Sequence, residues 1–249
     1  MRGRRKEIPP SLILWCARVV VNRARLAFLA CPFAKSRVKI LARKGRMSTI
    51  LGVPAATSND YSEAARKPLE AELCALIVVD IQEKLLPPIF QKEMLVKNCK
   101  LLIRLAGILK IPVLMTTQYA KGLGSTVPEI ASLLPETQAI DKQMFSCFGS
   151  DVFCSVLKRM PGNCNTVLLC GMESHICVMQ TAVGALREGY LVHIASDAVS
   201  SRTEWNWKIG LERMRAAGAV ISSTEMMIYE LLRASNAEGF KELLPYLKE

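Results

Sequence analysis

From residue 74 onward, short runs of β-branched and other apolar residues alternate with longer stretches whose apolar positions recur at helical spacing. That alternation constrains the fold more than any other feature of the chain. CALIVVD at 74–80 and TVLLCGM at 166–172 are continuous apolar runs, the pattern of strands buried on both faces. Further strands are predicted at 111–117, about 138–142, 190–197 and 219–222. Helices are predicted between them at 92–110, about 127–134, 150–160, 174–188 and 204–217, with a helical tail after 222. In the first of these, Leu95, Cys99, Leu102, Ala106 and Leu109 share one face. No hairpin signal such as Asn-Gly separates the strands. The expectation is an α/β fold of three layers, αβα, around a six-stranded, mainly parallel, Rossmann-like sheet. Such sheets bind ligands at the carboxyl ends of their strands.

Charge divides the chain in two. Residues 1–59 hold thirteen Lys and Arg against one acid, Glu7, whereas residues 60–249 hold 20 basic and 21 acidic residues. The net charge of +11 therefore belongs to the leader, and the body from 60 to 249 is neutral. Within the leader, Ser11, Arg18, Asn22 and Arg25 fall on one helical face among Leu12, Ile13, Trp15, Val19, Val20 and Leu26. An Arg-rich, acid-poor amphipathic N-terminus is the composition of a mitochondrial targeting segment. Mitochondrial localisation is the expectation; translation starting at Met47 is the cytoplasmic alternative. No run of eighteen uncharged apolar residues exists, so no segment qualifies as a bilayer-crossing helix.

Nine cysteines lie scattered at 16, 31, 74, 99, 147, 154, 164, 170 and 177 with no CxxC pair. Several sit inside apolar runs, where a thiol behaves as a small hydrophobe. The plain reading is a reducing compartment, no structural zinc and no cofactor.

Three polar residues stand at predicted strand ends: Asp80 after the first strand, Lys142 after the third, and Cys177 in the helix that follows the fourth. Taken singly, they read as a cap, a solvated lysine and a packed thiol. Together they supply a nucleophile, an electrostatic partner and a general acid/base. A helix N-terminus and a lysine would favour the Cys177 thiolate, and Asp80 could take the thiol proton and later return it to a leaving group.

VVDIQ, DKQMFSCF, LLCGMESHIC, DAVSSR and RMRAAGAVISSTE, in that order, resemble the isochorismatase-like (cysteine hydrolase) family, and within it the short isochorismatase domain-containing proteins. The similarity runs from about residue 71 to the C-terminus. It implies that Asp80, Lys142 and Cys177 form the family's catalytic triad, that the Met172–Glu173 peptide is cis, and that the amides of Glu173 and Cys177 form an oxyanion hole. It also implies a homo-oligomer, for which MMIYELLRAS at 226–235 offers an apolar contact surface. Nicotinamidases of the family bind a metal through histidines after the second strand, but here that stretch reads TTQYAKGLG and has none. A metal is therefore not expected. Of the two histidines, His193 alternates with apolar neighbours as a core residue does, and His175 lies in the cysteine turn.

Gln82, Gln118, Tyr119 and Phe145 flank the strand ends and, with His175, are candidate substrate-binding residues. Arg202 follows another strand end, able to bind a carboxylate or to pair with Glu204. Three functions follow. The first is a metal-independent cysteine hydrolase of a small amide, imine or ester-like metabolite. The second is a mitochondrial ribonuclease or RNA-associated protein, as some short-form relatives are described; the neutral body shows no basic stripe along its sequence to favour it. The third is a non-catalytic interaction protein.

Overall fold

The computed structural model describes residues 65–160 and 164–248, so the basic leader lies outside the described residues. Six strands form one sheet in the order β3-β2-β1-β4-β5-β6, and every neighbouring pair is parallel. They are β1 (Cys74–Val79), β2 (Val113–Gln118), β3 (Ile140–Lys142), β4 (Thr166–Met172), β5 (Leu191–Ser200) and β6 (Val220–Ser222). The order reverses between β1 and β4, which is where a doubly wound sheet opens a crevice at its carboxyl edge. The three-layer expectation holds.

Each residue of β1 is buried, and its side chains alternate between two cores. Cys74, Leu76 and Val78 pack with α1 (Lys92–Leu109), while Ala75, Ile77 and Val79 pack with helices on the opposite face. One-turn helices α2 (Ala120–Leu123) and α3 (Pro128–Ala131) follow β2. The opposite layer consists of α4 (Asp151–Lys158), α5 (Met179–Arg187) and α6 (Glu204–Ala217), and the first layer is completed by α7 (Thr224–Leu232) and α8 (Glu238–Leu247). Ser150, Thr203 and Ser223 cap α4, α6 and α7 by accepting the backbone amides of Phe153, Asn206 and Met226.

Three local differences from the sequence expectation have physical causes. The helix predicted at 174–188 begins instead as one wide π-helical turn, Ser174–Val178, before α5. β5 runs to Ser200 rather than 197, because a register shift at Leu169/Gly171 lets its last residues rejoin β4. The 226–235 segment is only partly a surface: Met227, Ile228, Leu231 and Leu232 are buried, and Met226 and Tyr229 remain exposed. Among the described residues no helix is long and apolar enough to cross a membrane.

Candidate active site

Asp80 is the first residue past β1, and its φ of 51° is left-handed, a conformation that aspartate tolerates better than most residues. Its carboxylate is fully enclosed: Thr116 of β2 donates Oγ1–H to Oδ1 at 2.7 Å, and Lys142 at the end of β3 donates Nζ–H to Oδ2 at 2.7 Å. The side chains of Asp80 and Lys142 have no solvent exposure. Lys142 Nζ also donates to Gln118 Oε1 at 2.9 Å. An ion pair stripped of water must be satisfied by such neighbours, since its desolvation offsets most of its Coulomb attraction.

Cys177 lies in the π-helical turn after β4 and is 6% exposed. Its thiol lies within range of the Asp80 and Lys142 charges. Burial first, and then the Asp80 charge, push this thiol far above its ordinary value; Lys142 pulls it down by less. Burial and the Asp80 charge thus oppose the thiolate stabilisation expected from the lysine. A second thiol, Cys147, is fully buried beside the same cluster with Sγ 3.9 Å from Thr116 Oγ1, and burial raises it to about 11.

The turn carrying Cys177 is held from below and behind. Gly171 in β4 has φ 111°, and a Cβ there would lie 2.1 Å from the carbonyl oxygen of Val79, so only glycine lets β4 approach β1 this closely. The Met172–Glu173 peptide is cis, as the resemblance implied. The Glu173 carbonyl accepts the amides of Ile176 and Val178, and its carboxylate accepts Arg202 N–H at 3.0 Å and Nε–H at 3.1 Å. Ser201 Oγ lies 2.6 Å from Ser174 Oγ and 2.9 Å from His175 Nδ1. Burial lowers the His175 pKa; Glu173 opposes this and Arg202 adds to it.

Of the candidate residues, Asp80, Lys142 and Cys177 are brought together, with the Glu173 and Cys177 amides in the adjoining turn. Gln82 requires correction as a substrate-binding residue. It is fully buried, with Nε2 donating to the carbonyls of Gln118 and Gly124 at 3.1 and 2.7 Å and Oε1 accepting the Gln118 amide at 2.7 Å. Its amide is consumed as a brace between β1 and β2. Gln118 likewise spends its side chain on Lys142 and on the Gln143 carbonyl. Tyr119 and Phe145 stay exposed, at 46% and 52%, and remain able to cover a ligand. Arg202 pairs with Glu173, while Glu204 pairs with Lys208. His193 is buried in β5 as expected, yet its Nδ1 lacks a partner among the described residues. Sequence reasoning missed Thr116 and Cys147; the only signal for the first was two threonines and a glutamine closing an otherwise apolar strand. Among the described residues no group of three or more His, Cys, Asp or Glu could hold a metal ion.

The model of the isochorismatase domain matches residues 74–226, which span the sheet from β1 through β6 and the whole polar cluster. The chain belongs to the isochorismatase family. A secreted isochorismatase effector, Isc1, of Phytophthora sojae is 40% identical over 177 residues, covering 70% of this chain and 84% of the relative. Isochorismatase domain-containing protein 2 of Danio rerio is 40% identical over 170 residues, covering 68% and 83%. Among solved structures, the MAR1 ribonuclease of Caenorhabditis elegans superposes with a TM-score of 0.68 at 34% identity, over 74% of this chain and 93% of that one. YcaC of Pseudomonas aeruginosa, solved with hexane-2,5-diol and covalent acrylamide, gives 0.68 at 25% identity over 74% and 95%. This isochorismatase-family chain thus has the hydrolase fold of its relatives.

Proposed function

We propose that this isochorismatase-family chain is a metal-independent cysteine hydrolase of a small amide, imine or ester-like metabolite. The observation that carries the reading is the buried Cys177 thiol beside an Asp80 carboxylate that Thr116 and buried Lys142 hold in place. Asp80 takes the thiol proton as Sγ attacks the substrate carbon, which keeps charge separation small in a dry site. The amides of Glu173 and Cys177 receive the developing oxyanion or nitrogen anion. Asp80 then returns the proton to the leaving group, and water, deprotonated by Asp80, releases the thioester or its imine counterpart. Lys142 holds the Asp80 carboxyl in place throughout. Tyr119 and Phe145 cover the ligand, and the lack of histidine in TTQYAKGLG supports a mechanism without metal.

The basic leader directs this hydrolase to mitochondria, a reading that rests on the leader's thirteen basic residues against one acid. Exposed Trp205, Ile209, Met226 and Tyr229 support assembly with further copies. The test is alkylation of Cys177 by iodoacetamide against pH, followed by peptide mass spectrometry, in the native chain and in Asp80→Asn. The Asp80 charge raises the thiol, so its removal moves the profile to lower pH while turnover of an amide panel is lost. The reading fails if the profile is unchanged and Cys177→Ser hydrolyses the same panel as the native chain.

A ribonuclease is the second reading, favoured by the likeness to the MAR1 protein. Cleavage of RNA that survives Cys177→Ser and disappears in Asp80→Asn would select it.

A further inference from the structure

Away from the polar cluster, α1 and α8 enclose a recess of about 90 Å³ lined by Lys97, Lys100, Leu101, Arg104 and Tyr246. Three of these five are cationic and none is acidic. Lys97, Lys100 and Arg104 stand three and four residues apart, so they share one helix face where like charges repel. No ion pair with a carboxylate relieves Lys97, Lys100 or Arg104 among the described residues. Arg104 is moreover fixed in orientation, with its guanidinium 3.9 Å above the Tyr246 ring. Three cations with no direct ion pair and one pre-oriented guanidinium are an arrangement that an anion stabilises. At about 90 Å³ the recess has room for a small tetrahedral oxyanion.

Lys97 and Lys100 also line a neighbouring cleft of about 410 Å³. Leu86, Pro87 and Val96 give that cleft an apolar wall, and Glu83, Glu93 and Glu129 supply carboxylates. Carboxylates repel a polyanion and accept hydrogen bonds from hydroxyl and amino groups. The two cavities together therefore fit a molecule with one phosphoryl end and one neutral end that is partly apolar and rich in donors.

We propose that Lys97, Lys100, Arg104 and Tyr246 bind the phosphate monoester of a small metabolite of nucleoside monophosphate character, with its organic part in the adjoining cleft. Lys97 and Lys100 act as point charges on the phosphoryl oxygens, and the Arg104 fork sets their orientation. The site is separate from Cys177 and stands or falls independently of the hydrolase reading.

The probe is adenosine 5′-monophosphate, titrated calorimetrically into the full chain beside adenosine, inorganic phosphate and a single-stranded uridine decamer. Saturable binding of the monophosphate is expected, at least about tenfold tighter than adenosine or inorganic phosphate and weakening with salt. Lys97→Gln with Lys100→Gln should reduce it about tenfold or more while leaving the pH profile of Cys177 alkylation unchanged. Lys97→Gln alone, at an exposed position, gives an intermediate loss and guards against a folding defect in the double variant. The proposal is overturned if the monophosphate does not saturate, or if both variants bind it as the native chain does, which would place it elsewhere on the molecule. It is equally overturned if inorganic phosphate binds as tightly, or if the decamer binds more tightly through the same lysines.

Discussion

The two halves of the candidate site are held by different physics. The strand-end half, Asp80, Thr116, Gln118 and Lys142, is a set of side chains bonded to one another with at most 9% exposure. The turn half, Glu173 to Cys177, is held by backbone, by the neutral hydroxyl of Ser201, and by an Arg202 whose side chain is 56% exposed. Where charge is buried, every partner is required, so the first half is rigid and intolerant. Where the partners are neutral or wet, losing one costs less, and the turn can be tuned without unfolding the domain.

The sharpest way to break this contrast is Lys142→Met, which strands the Asp80 carboxylate without its cation. A loss of about 3–5 kcal/mol in urea unfolding is expected. A loss below about 1 kcal/mol would mean that Asp80 takes up a proton when unpaired, and that its rigidity is not electrostatic. Ser201→Ala removes the shared partner of Ser174 and His175 in the turn half, with an expected cost of about 1–3 kcal/mol. Its alkylation rate at Cys177 should change more than its stability, because the hydroxyl orients the turn.

Gly210→Ala probes the same turn from behind. The added Cβ would lie 2.8 Å from the Ser174 carbonyl group and 2.9 Å from the His175 amide nitrogen, all backbone atoms. Overpacking of about 1–3 kcal/mol is partly offset by the ~1 kcal/mol that alanine gains over glycine in a helix. Thermal unfolding should show a net loss of up to about 2 kcal/mol, and a stabilised variant would show that the turn yields freely. Arg202→Ala should be smallest, within about 1 kcal/mol, because a pair with one exposed partner is screened by water. A larger loss would place the Arg202–Glu173 pair with the buried ion pair rather than with the tunable turn.

Much of the scaffold was legible in the chain. The apolar runs at 74–80 and 166–172 became the two central strands because they are long, β-branched and bounded by polar residues. The helix predicted at 92–110 appears as α1, Lys92–Leu109, since Leu95, Cys99, Leu102 and Ala106 recur at helical spacing on one buried face. Asp80, Lys142 and Cys177 were legible through their order in the family's motifs. Thr116 and the Gln118 contact to Lys142 were not, because they depend on β2 lying between β1 and β3, an adjacency that no local pattern encodes. Gln82 looked like a binding residue for the same reason. Its partners are backbone groups at 118 and 124, 36 and 42 residues away.

The sequence by itself determined which segments are strands and helices, which face of each helix is apolar, and which residue types could do acid, base and thiol chemistry. These are properties of neighbours along the chain, set by side-chain periodicity and backbone preference. Tertiary structure alone decided the burial of Cys177 beside Asp80, the sealing of Asp80 against Lys142, and the gathering of Lys97, Lys100 and Arg104 against Tyr246 from the far end of the chain. Burial and charge–charge distance are three-dimensional quantities, and the strength of an electrostatic interaction depends on how much water the fold has excluded around it.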